Sequence, residues 1–93
     1  MNSKNKRDRL EVIFDILLII KNNNNSIKPT PLLRFSNLSF KSFNEYETEL
    51  IKKKFVQIIE DKKQRKHYTL TDKGFDYINK YKQMRKFIEE FEL

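Results

Sequence analysis

The 93-residue sequence predicts a mainly α fold (α+β), in which four helices carry one β-hairpin inserted before the last. Three observations carry that reading. Between Asn37 and Gly74 the apolar period passes from helical to alternating and back to helical. Ahead of it, Thr30-Pro31 opens a short helix, which the three-residue turn Asn37-Leu38-Ser39 joins to a longer amphipathic one. Two short β-prone runs then flank a charged tip, Asp61-Lys62-Lys63-Gln64-Arg65. Short helix, tight turn, second helix and hairpin together make a winged helix-turn-helix with the hairpin as its wing.

The elements follow in order. Residues 1–7 are polar and basic, and read as a loose arm, either solvated or lying along a polyanion. The domain proper takes 8–71. Its first helix covers 8–21: Asp8 can cap it, and Leu10, Ile13, Phe14, Leu17, Leu18 and Ile20 form an apolar stripe. Asn22 to Asn25 end it, because asparagine tolerates the left-handed conformation of a C-cap. The second helix lies within 27–36, with Thr30 as N-cap, Pro31 at the first helical position, and Leu32, Leu33 and Phe35 facing inward. The third, 40–53, is capped by Ser39 and buries the face of Phe43, Tyr46, Leu50 and Ile51. Phe55 to Ile59 and Lys66 to Leu70 are the strands, and the second alternates polar with apolar as a half-buried strand does. Thr71 caps a last helix over 72–91, within a C-terminal segment of 72–93. There Tyr77, Tyr81, Met84, Ile88 and Phe91 follow the 4-3-4-3 spacing of a heptad seam. That seam faces either a second copy of the chain or its own domain.

Composition narrows the function. Twenty basic residues stand against 13 acidic, a net charge of +7, which favours a polyanionic partner, nucleic acid ahead of an anionic membrane. Eight Phe and four Tyr supply core area that a short chain otherwise lacks. The chain has no cysteine, so it has neither disulfides nor thiolate metal sites, and the reducing cytoplasm is the simplest location. One histidine, a single glycine and no metal-spaced carboxylate cluster leave no basis for catalysis, a metal or a cofactor. No apolar run reaches the roughly 18 residues of a membrane span.

Within this frame double-stranded DNA is the expected partner. The 40–53 helix would enter the major groove through Ser39, Lys41, Ser42, Asn44, Glu45 and Thr48. Arg34, with Lys62, Lys63, Arg65, Lys66 and His67 of the wing, would hold the phosphate backbone or enter the minor groove. The bland alternative for the wing is a solvated charged turn that protects a sheet edge.

Asn37-Leu38-Ser39-Phe40, then Phe43, Tyr46, Leu50 and Lys53, and later Tyr68-Thr69-Leu70-Thr71-Asp72-Lys73-Gly74, carry a further pattern. It resembles the small archaeal winged-helix DNA-binding proteins that include the ten-kilodalton Sulfolobus nucleoid proteins. Their pattern runs Asn-Leu-Ser-Tyr, an apolar residue, Tyr, Leu and Lys-Gly, then Tyr-x-Leu-Thr-x-Lys-Gly, and the likeness covers about residues 8–90. It implies operator or sequence-tolerant DNA binding, in the nucleoid or as a transcription regulator, by a homodimer whose last helices form an antiparallel coiled coil. The chain departs from that pattern in three places. Lys54 stands where the family has glycine, the recognition helix carries Glu45, Glu47 and Glu49, and the last helix is short. The acidic helix keeps a second function open: a winged-helix adaptor that binds protein and never touches DNA.

Overall fold

A computed structural model describes residues 7–93. Its elements run α1 (Arg9–Asn22), α2 (Pro29–Ser36), α3 (Phe40–Lys52), β1 (Val56–Glu60), β2 (Lys66–Leu70) and α4 (Asp72–Glu90). This is the expected winged helix: mainly α, with one hairpin between the helix-turn-helix and the last helix. Of the expected arm over 1–7, only Arg7 lies within the described residues. Its guanidinium pairs with Asp15 and donates to the Ser36 carbonyl, both at 2.8 Å.

Helix α1 is the keel. Asp8 caps it by accepting from the Glu11 amide. Val12, Ile13, Ile16, Leu17 and Ile20 are buried against Leu32, Phe43, Leu50, Val56, Tyr68, Leu70 and Ile78. The buried stripe therefore sits one step round from the expected one, and Leu10 at its start is exposed. The asparagine run ends the helix as its chemistry suggests: Asn24 and Asn25 both have positive φ.

Helix α2 starts earlier than the Thr30 signal indicates. Lys28 is the N-cap without a side-chain bond, and Pro29 takes the first position. Pro31 then falls in the first turn too, where helix amides have no intrahelical partner, so both prolines fit without losing a bond. Phe35, expected inward, is exposed, while Ser36 is buried in its place. The Ser36 hydroxyl donates to the Leu33 carbonyl (2.7 Å) and accepts from the Leu38 amide (3.3 Å). With Asn37 left-handed (φ 60°), these bonds shape the turn into α3.

The hairpin pairs in register from Val56↔Leu70 to Glu60↔Lys66. Sequence reasoning missed a third partner. Ile27 bridges to Tyr68 on the other edge of β2, with amide-to-carbonyl distances of 3.2 and 2.8 Å. Strand β2 is thus central, and its alternation is real, with Tyr68 and Leu70 buried. Phe55, expected as the first strand residue, instead completes the C-cap of α3: its amide bonds to the Leu50 carbonyl and the Lys54 amide to that of Ile51. This is a Schellman cap, and it needs a left-handed residue at Lys54, whose φ is 65°. The backbone keeps the usual cap although the residue is not glycine.

The Leu70-Thr71-Asp72-Lys73-Gly74 run clasps that joint. Thr71 caps α4 by accepting from the Gly74 amide and donates to the Lys54 carbonyl (2.6 Å). The Lys73 ammonium reaches the Lys53 carbonyl (2.9 Å). Gly74 is glycine because a Cβ there would stand 2.3 Å from the Phe55 carbonyl oxygen. Helix α4, about 28 Å long, then leaves the domain. The Cα radius of gyration is 14.2 Å, against about 12 Å for a globular chain of this length, and the long axis of 49 Å reflects the projecting helix.

Candidate nucleic-acid interface

The third helix presents its N-terminal half to solvent because its apolar residues fall on one side, Phe43 and Leu50 being buried. Ser39 uses its hydroxyl to cap the Ser42 amide (3.1 Å), so this pair orders the helix start. Lys41, Glu45 and Thr48 are exposed and Asn44 is half-buried. The Thr48 hydroxyl donates back to the Asn44 carbonyl (3.0 Å) and keeps only its lone pairs for a partner.

Of the three glutamates that count against a groove-facing helix, two are engaged by other residues. Glu47 accepts a hydrogen bond from the buried Tyr68 hydroxyl, and Glu49 pairs with Arg9 and Lys53. Burial, together with the Glu47 carboxylate, pushes the Tyr68 phenol well above its ordinary value, so it remains a proton donor. Among the described residues only Glu45 of the three has no ion-pair or hydrogen-bonded partner.

The wing is built around Asp61. One carboxylate oxygen accepts from the Lys63 and Arg65 amides (2.8 and 3.0 Å), the other from the Arg65 Nε (2.8 Å) and His67 Nε2 (3.2 Å). These bonds, the Arg65 amide first, hold the carboxyl far below the usual carboxylate range, outweighing the desolvation that opposes them. Gln64 supplies a left-handed residue (φ 62°) at the tip, the position a three-residue hairpin loop needs. Arg65 and His67 are therefore engaged within the wing, and His67 Nδ1 also lies 3.2 Å from the Ser26 hydroxyl. Lys62, Lys63 and Lys66 are exposed and, among the described residues, unpaired. Arg34 is exposed on α2, with its guanidinium over the Phe35 ring.

Between α2, α3 and the wing runs an open groove of about 280 Å³, which brings Asn44, Glu47 and Lys66 together with Leu33, Phe40 and Ile58. Phe40 was not among the expected contacts, yet it is 69 % exposed at the first position of α3. A residue in that position points away from a core only if the helix start is placed correctly, and its exposure becomes visible only once the helix is oriented.

The expected seam on α4 divides in two. Tyr81 stacks on Phe14 (centroids 4.4 Å apart), and Tyr77 packs edge-on against Phe55 and donates to the Leu10 carbonyl (2.7 Å). Burial pushes the Tyr77 phenol up to about 12, with Tyr81 and Asp8 adding to it. These two rings serve the chain's own domain. Beyond them Met84, Phe87 and Phe91 are exposed and Ile88 is half-buried, with the Phe87 and Phe91 rings 5.0 Å apart. No helix among the described residues is long and apolar enough to cross a membrane.

A winged helix-turn-helix family model matches residues 6–89. The uncharacterized protein MJ0290 of Methanocaldococcus jannaschii is 35 % identical over 69 residues, which are 74 % of this chain and 29 % of that protein. The chain thus spans less than a third of the curated relative it matches. The crystal structure of Sso10a-2, a DNA-binding protein from Sulfolobus solfataricus, superposes with a TM-score of 0.73 at 24 % identity. That match covers 91 % of this chain and 85 % of the other, and it shows a shared fold.

Proposed function

The chain belongs to the winged helix-turn-helix family, and we propose that it binds double-stranded DNA, as a transcription regulator or a nucleoid protein. The observation that carries this reading is the wing. The acid at its tip, Asp61, is consumed by internal hydrogen bonds, so Lys62 and Lys63 stand as uncompensated charge, while Lys66 lies across the hairpin from the exposed Glu60 without an ion pair between them, beside the exposed start of α3. In this reading α3 enters the major groove with Lys41, Asn44, Glu45 and Thr48 toward the bases, while Arg34 and the wing lysines hold phosphates. Ser39, Ser42, Arg65 and His67 shape the elements that do so. The fold shared with a DNA-binding protein of Sulfolobus supports the same role here. The outer half of α4 joins two copies through Met84, Phe87, Ile88 and Phe91, because an exposed aromatic cluster on a projecting helix is an association surface.

The test is a labelled duplex titrated with protein in the presence of unlabelled random-sequence DNA. Equal competition by random DNA indicates an architectural protein, and weak competition a regulator with an operator. Absence of binding at low salt refutes the DNA reading and leaves the protein-adaptor function.

A further inference from the structure

The exposure of Phe40 needs a physical account. A phenylalanine left 69 % open to water at the head of a helix forgoes burial that the same side chain could gain against an apolar partner. The neighbouring helix position one turn on, Asn44, lies on the same face by its i, i+4 spacing, and among the described residues its amide has no protein partner. Both residues line one groove, which Ile58 and Lys66 of the wing line as well. The groove therefore offers an apolar surface, an amide that can donate and accept together, and a cation; the one carboxylate among its lining residues, Glu47, is engaged by the Tyr68 hydroxyl.

One edge of duplex DNA presents the matching set. In the major groove thymine carries a methyl group, adenine carries a donor and an acceptor that an asparagine amide can bond in pair, and a phosphate lies alongside. Helix-turn-helix proteins place the first residues of the second helix against these edges. Building on the DNA-binding function proposed above, we propose that Phe40 is a base-reading residue whose ring packs on the thymine methyl, with Asn44 on an adjacent adenine, so that the protein prefers A·T pairs. The selectivity comes from the methyl, which cytosine lacks, and from the amide pairing, which guanine does not satisfy.

The experiment compares two duplexes that differ only in thymine against deoxyuridine, which lacks the methyl and keeps the pairing. Each is titrated with the wild type and with F40A, whose fold is checked by circular dichroism. The wild type is expected to bind the thymine duplex about fourfold more tightly per contacted methyl, the factor that burial of one such group gives. F40A is expected to bind both duplexes equally, with the dependence on salt unchanged. Salt-dependent binding by the wild type that ignores the methyl overturns the role of Phe40 while leaving DNA binding intact. A methyl preference that persists in F40A overturns it as well. Failure of the wild type to bind either duplex refutes the DNA reading itself, and with it this inference.

Discussion

At the level of single residues, two positions at one joint should respond in opposite directions. Lys54 holds φ at 65°, a conformation that costs an L-residue about 1–2 kcal/mol and glycine almost nothing. Lys54→Gly should therefore raise stability by roughly 0.5–1 kcal/mol, reduced from the full cost by the greater freedom of glycine in the unfolded chain. Gly74→Ala should lower it by roughly 1–3 kcal/mol, since the added methyl meets the Phe55 carbonyl and backbone must shift. Thermal melts of the two variants should move several degrees apart on either side of the parent. The importance of Gly74 was legible in the sequence, because a lone glycine in a first helical turn asks for close packing. The sequence places that packing against the wing, whose first strand it starts at Phe55; the contact is indeed with the Phe55 carbonyl, 19 residues back, which the Schellman cap at the end of α3 sets there.

At the level of elements, the wing depends on one carboxylate. The pKa of Asp61 is depressed by folding, so its stabilisation is present above the unfolded value of about 4 and is lost as pH falls through the much lower folded value. An NMR titration should find its carboxyl ionised well below pH 4, with the Lys63 and Arg65 amides keeping their bonded shifts to the same pH. In Asp61→Ala those amides should exchange with solvent freely at every pH, and a carboxyl titrating near its ordinary value would contradict the account. Strand β2 and the tip were readable from alternation and charge. The role of Asp61 was not, because an acid among four basic or polar neighbours reads as one more surface charge until the turn folds onto it. The same holds for Glu47 and Glu49, whose partners Tyr68 and Arg9 lie on other elements. Helix α2 shows the converse limit: Thr30-Pro31 and Lys28-Pro29 are both valid starts by local chemistry, and the bridge of Ile27 to Tyr68 accompanies the earlier one.

At the level of the whole molecule, shape and charge pull toward assembly on a polyanion. The spacing on α4 does not by itself say which rungs face the chain's own domain. Tyr77 and Tyr81 do, through Phe55 and Phe14, and the outer rungs extend past the core. If those rungs join two copies, sedimentation velocity should give twice the chain mass. Phe87→Glu should halve it without loss of helical signal beyond the ends, because residue 87 is exposed within one chain. A wild type that sediments as a single chain at high concentration would remove the dimer.

The central claim, that the unpaired wing lysines bind the phosphates of duplex DNA, is tested most directly by the salt dependence of affinity. Anisotropy of a labelled duplex across salt concentrations should give a log–log slope matching about 4–8 phosphate contacts. Replacing Lys62, Lys63 and Lys66 by alanine should make that slope shallower by roughly 2–3 for each protomer engaged. No binding at low salt, or a slope that the triple replacement leaves unchanged, would contradict the account.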